Sequence, residues 1–108
     1  MNRTWNFTKK DVINADITKA LQELKGTEVE ITGIALTEGV DNETGEVRNV
    51  ALFKSEEYGI ISSISSTVMR MVPQIIDYVE EEDLSSVTIK VLSGVSKEGN
   101  EFIHIKLV

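Results

Sequence analysis

The sequence predicts a mainly β fold with helices, of the α+β class. Three observations predict it. Apolar residues alternate with polar or small ones in several short stretches, as in half-buried strands. Between the third and fourth of these lies a segment whose apolar residues recur at helical spacing, and a second such segment precedes them all. Gly, Asn and Asp punctuate the joints.

The first element is "TKKDVINADITKALQELKG", residues 8–26, which reads as an N-terminal helix. Thr8 and Asp11 have capping-box spacing in an Asp version. Ile13, Ile17, Ala20, Leu21 and Leu24 form one helical stripe, and Gly26 stops it. Upstream, "MNRTWNF" is polar except for Trp5 and Phe7. It is either a flexible arm or a segment that docks through its two aromatics.

"TEVEITGIALTEG", residues 27–39, is the first strand of the meander. Val29 and Ile31 alternate with Glu28 and Glu30, and Gly33 marks a bulge or sharp bend. Asp41, Asn42 and Gly45 form a turn. Residues 47–54, "VRNVALFK", are the second strand. "YGIISSIS", from Tyr58, is the third, with Tyr58, Ile60, Ser62 and Ile64 on one face. From about Ser66 the period becomes helical, and Val68, Val72, Ile75, Ile76 and Val79 share a side. Ser65 or Ser66 caps this helix, and Pro73 predicts a kink or two short helices. The acidic run at 80–83 ends it near Tyr78 to Glu81. Residues 86–95 and 101–108 are the last two strands, joined by "SKEGN".

Three strands, a helix and two strands is the order of an OB-fold, a five-stranded and partly open Greek-key barrel. The expectation is thus one OB-like domain over 1–108 with an extra N-terminal helix. An open α+β sheet is the competing arrangement. The 108 residues suffice for one domain, and with no cysteine the chain folds on packing alone. It has neither a signal-peptide core nor a membrane-length apolar run, so the expected location is the cytoplasm.

The net charge of −7 is uneven. Residues 1–27 carry five Lys/Arg against three Asp/Glu, and the rest six against fifteen. Such a chain avoids phosphate backbones unless its cations converge locally. Enzyme chemistry finds no support. The hydroxyl cluster from Ser62 to Thr67 lacks a nucleophile elbow, and His104 is the only histidine, with no partner at metal spacing. No catalytic residue, metal or cofactor is expected. The hydroxyls read as a strand-to-helix corner. What remains is a set of cationic and aromatic residues on strands: Arg48, Phe53, Lys54, Tyr58, Lys90, Lys97, Phe102, His104 and Lys106. Single-strand binders combine a basic groove with aromatic platforms, and OB-folds build that surface from strands two and three with flanking loops. Phe53, Tyr58 and Phe102 have core positions as their alternative.

Three stretches, "EVEITGIALTEGVDNETGEVRNVALF", "YGIISSISSTVMRMVPQIIDYVEEE" and "VTIKVLSGVSKEGNEFIHIKLV", resemble small single-stranded DNA-binding proteins of tailed phages and prophages of Gram-positive bacteria. The likeness spans roughly residues 11–108. It implies an OB-like protein that coats single strands during phage DNA replication or recombination, without base specificity or metal. Arg48, Tyr58, Lys97 and Phe102 match the family pattern, and Lys54, Lys90, His104 and Lys106 lie near it. The second functional expectation is a non-enzymatic interaction module. It would bind replication proteins or form a homo-oligomer through the stripe Ile13–Ile17–Leu21–Leu24.

Overall fold

A computed structural model describes residues 3–40 and 43–108. In chain order the elements are β1 (Arg3–Trp5), α1 (Lys9–Ile13), β2 (Ile17–Ala20), a 3-10 turn (Leu21–Leu24), β3 (Glu28–Ile31) and β4 (Gly33–Val40). Then follow β5 (Val47–Ser55), β6 (Gly59–Ser63), α2 (Ser66–Glu81), β7 (Val87–Val95) and β8 (Glu101–Leu107). The fold is mainly β with helices, as the alternating stretches predict. The Asp41–Asn42 part of the predicted turn lies outside the described residues.

The strands form two sheets, of order β1-β4-β5-β6-β2 and β3-β7-β8. The strand expected over residues 27–39 breaks at Thr32, so its first half joins one sheet and its second half the other. The break is held by Thr32, whose N–H donates to the Lys54 carbonyl at 2.8 Å. Gly33 serves a different purpose from the expected bulge. A Cβ there would stand 2.7 Å from the Asn6 carbonyl oxygen, so the arm can cross at this point only over a glycine. Among the described residues β6 and β8 do not pair, and the sheets do not close into a barrel. Just past β6 the Ser65 hydroxyl reaches across the gap and donates to the Ile103 carbonyl of β8 at 2.8 Å.

The core fills the space between the sheets and α2. Ile31, Ile34, Phe53, Ile61, Ile89 and Ile105 meet Val68, Val72, Ile75, Ile76 and Val79 of the helix. Each such side chain contributes about 1.5–3 kcal/mol on burial. Helix α2 is a single element of 16 residues, so of the two outcomes expected at Pro73 the pair of short helices is not formed. Proline removes one N–H, but Val72, Ile75 and Ile76 on either side of it are all buried, and that packing outweighs one lost hydrogen bond. Past the helix end at Glu81, Asp83 takes the left-handed region at φ 53. The Leu84 N–H then reaches back to the Val79 carbonyl at 2.9 Å, closing a Schellman motif.

The long N-terminal helix is not formed. The capping box at Thr8 and Asp11 is present, yet α1 runs for five residues and stops at Asn14. Residues 17–20 pair in parallel with β6 instead. The β-branched Ile17 and Thr18 favour a strand, and an open sheet edge supplies hydrogen bonds to a segment too short to nucleate a helix alone. The stripe divides accordingly. Leu21 and Leu24 enter the core, whereas Ile13 and Ile17 remain exposed. A 3-10 turn brings i and i+3 to one side, so it mimics the helical spacing signal.

The arm docks from Arg3 onward. Trp5 opposes Ile34 in the β1–β4 ladder. Phe7 packs with Ala35 and Leu52, joined by Val12 and Ala15, on the sheet face away from the main core. Arg3 also meets Asp77 of α2 at 2.7 Å and Glu80 at 3.3 Å.

Candidate nucleic-acid interface

Strand β7 sends Val87, Ile89 and Val91 into the core, so Lys90 and Leu92 point outward. Strand β8 pairs with it in a fixed register. Ile105 opposes Val91 inside, while Lys106 opposes Lys90, His104 opposes Leu92 and Phe102 opposes Gly94 outside. Four predicted contact residues therefore share the outer face of the three-stranded sheet. The rows are two residues apart, so the strip from Phe102 to Lys106 is about 13 Å long.

One end of the strip is cationic. Lys90 and Lys106 are directly cross-strand, where like charges destabilise a sheet. Glu28 lies on the other side of Lys90 in register, but neither lysine makes an ion pair among the described residues. A phosphate bound there would relieve the repulsion. The other end is aromatic. The Phe102 ring is 37% exposed in residue terms and lies beside His104, with centroids 5.7 Å apart and planes tilted by 40°. Lys97 is exposed in the β7–β8 turn, at the Phe102 end.

The other predicted residues are elsewhere. Phe53 is fully buried, because residues 51, 53 and 55 form the inward register of β5, so it presents no ring to a base. Lys54 is committed to the arm. Its ammonium donates to the Asn6 carbonyl at 2.8 Å, reaches Asp11 at 3.3 Å and sits 4.9 Å from the Phe7 ring centroid. Tyr58 is half-buried against the core, and its carbonyl accepts a hydrogen bond from the Thr18 hydroxyl. Arg48 is exposed on the β4–β5 hairpin, 3.9 Å from Glu46.

The gap between β6 and β8 is an open cleft of about 800 Å³. Ser62 to Thr67 form one wall, Glu101 to Ile103 the other, and Gln22 and Lys25 reach in from the N-terminal segment. A shallow hollow lined by Arg48, Asn49 and Met69 shares Ile64 and Ser66 with this cleft. Arg48, with Glu46, and Phe102 thus line two neighbouring hollows that meet at Ile64 and Ser66. Ser65 caps α2, accepting from the Val68 N–H at 3.4 Å, as the corner reading predicts. The wall role of its neighbours and of Lys25, paired with Glu101 at 3.0 Å, had no sequence signal beyond the density of hydroxyls.

Against this geometry stand the comparisons with known proteins. The phi29-type family model described as "Phage Single-stranded DNA-binding protein" matches residues 11–108. The chain belongs to this family. It is 35% identical over 86 residues to the single-stranded DNA-binding protein of Bacillus phage B103, covering 77% of this chain and 70% of that one. Its counterparts in Bacillus phages PZA and phi29 are 31% and 30% identical over 84 residues, each covering 76% of this chain and 68% of the relative. No solved structure matches. The family match begins at Asp11, so β1 and the buried Trp5 and Phe7 precede it. It includes the whole β7–β8 strip and both walls of the cleft. Among the described residues no group of His, Cys, Asp or Glu could hold a metal ion, and no helix is long and apolar enough to cross a membrane.

Proposed function

We propose that this phage-family protein binds single-stranded DNA without sequence specificity, as a non-enzymatic binder in phage DNA replication or recombination. The strand crosses the two hollows from Arg48 to Phe102 and continues along the outer face of β7–β8. One observation carries the placement: Lys90 and Lys106 stand side by side, without ion-pair partners among the described residues, in line with His104 and Phe102. That combination of cations and stacking faces is what single-strand grooves use. The two sheets joined through the bent β3–β4 run support an OB-like barrel opened at the β6–β8 seam. In an OB-fold the ligand face lies on strands two and three, here β5 and β6, and the seam borders that face along β6.

Fluorescence anisotropy with labelled oligo-dT tests the proposal. Binding is expected at about 50 mM salt, with a log–log salt slope near −3 from Arg48, Lys90, Lys97 and Lys106 at roughly 0.7 each. Lys90→Gln and Lys106→Gln each flatten the slope by roughly 0.7. Absence of binding at low salt removes the proposal. Self-association keeps one supporting observation, the outer edge of β8, which carries no neighbouring strand among the described residues. Light scattering over a concentration series tests it, and a constant monomer mass ends that reading.

A further inference from the structure

Gly94 is not in the left-handed region of backbone space. Any residue could adopt its conformation, so what glycine supplies is room. A Cβ at position 94 would lie 2.7 Å from Phe102 Cζ, 3.1 Å from Cε1 and 3.2 Å from Cε2. Approach past the ring edge would leave both Cε atoms much farther away than Cζ. The near-equal distances instead put the Cβ over the ring face. The Cζ end of the Phe102 ring therefore covers Gly94 face-on, while the residue stays 37% exposed. His104, one row along, presents a second ring at 5.7 Å between centroids. Successive bases in a stacked strand are about 3.4 Å apart. Two consecutive bases seated on these two rings cannot stay stacked on each other.

Resting on the single-strand reading above, we propose that Gly94 is a positioning residue that holds Phe102 flat. Phe102 and His104 then form a two-base platform that splays neighbouring bases. Such a platform favours strands whose bases part easily, so thymine runs bind more tightly than adenine runs. Covering an exposed glycine with an aromatic ring is also a way to stabilise a sheet, and that role alone predicts no base preference.

The test compares labelled dT and dA oligomers of equal length, using the full chain and the variants Gly94→Ala and Phe102→Leu. The parent is expected to bind dT roughly three- to tenfold more tightly than dA. In Gly94→Ala the new methyl meets the far end of a side chain in an exposed hairpin, so the ring swings away and the fold survives. The dT affinity then falls roughly tenfold and the dT/dA ratio approaches one, while the salt slope stays unchanged because no cation is lost. Phe102→Leu leaves Gly94 in place and gives the same two losses, and the double variant loses nothing more. Parent-like dT affinity and parent-like dT/dA ratio in Gly94→Ala overturn this inference while leaving single-strand binding intact. A parent that binds neither oligomer overturns both.

Discussion

Replacing Gly33 by alanine tests how the N-terminal arm is held. The backbone at Gly33 is not left-handed, so alanine meets no conformational strain there. An unstrained Gly→Ala change usually stabilises by about 0.4–1 kcal/mol, through reduced freedom of the unfolded chain. Here the new Cβ would stand 2.7 Å from the Asn6 carbonyl oxygen, and 3.3 Å from both the Asn6 carbonyl carbon and the Trp5 carbonyl oxygen. These are backbone atoms, and Lys54 pins the same Asn6 oxygen at 2.8 Å. Overpacking against a fixed neighbour costs about 1–3 kcal/mol. The net expectation is a loss of about 1–2 kcal/mol, opposite in sign to the entropic default. With a urea m-value of about 1–3 kcal/mol/M, the midpoint drops by roughly 0.5–1 M. Trp5 is the sole tryptophan and is 8% exposed, so its emission reports the arm directly. Its spectrum should shift to the red in Gly33→Ala while far-UV circular dichroism stays near the parent's. An equal or higher midpoint with unchanged Trp5 emission refutes the close-approach account.

Three further outcomes are expected. Ser65→Ala removes both the α2 cap and the hydroxyl link to Ile103, and should lower stability by about 1–2 kcal/mol in urea unfolding. Pro73→Ala restores a helix N–H at an interior position and should raise the urea midpoint, by about 1 kcal/mol or more in stability. Asp11 titrates below its ordinary value of 3.8, chiefly because the Thr8 backbone N–H donates to its carboxylate, with help from the Thr8 side chain and Lys54. Its contribution is therefore complete above that value and is lost as pH falls through the depressed one. Amide exchange across α1 should accelerate only in that acid range, and Asp11→Asn should abolish the acid step.

The strand order was legible because alternation and turn residues are local signals. So was the buried face of α2, where five apolar positions satisfy one helical period. The N-terminal third was misread for a tertiary reason. Thr8 and Asp11 start a helix, and Leu21 and Leu24 continue its spacing, but the decisive partner of Ile17–Ala20 is β6, some forty residues away. Local periodicity carries no trace of that pairing. Pro73 misled in one respect, since the two short helices it suggested give way to one helix packed along its whole apolar face. At the candidate interface, the shared face of Phe102, His104 and Lys106 was legible because a strand puts alternate residues on one side, and Lys90 joins them only through the cross-strand register. Phe53 and Lys54 were drawn in by residue type, and only the inward register of β5 and the docking of the arm show them to be occupied. The meaning of Gly94 needed the cross-strand register with Phe102, which no single stretch contains.

The two outer strands of the five-stranded sheet, β1 and β2, both come from the first twenty residues. They pair with β4 and β6, which the ribosome makes later. In translation order, the edges that need sealing exist only after their seals have been waiting unpaired. β1 gains its partner once β4 is made, whereas β2 waits until β6 ends at residue 63, and until β5 follows, nascent β4 offers an open edge to other chains. A single cleavage before Leu21 would unseal both edges at once.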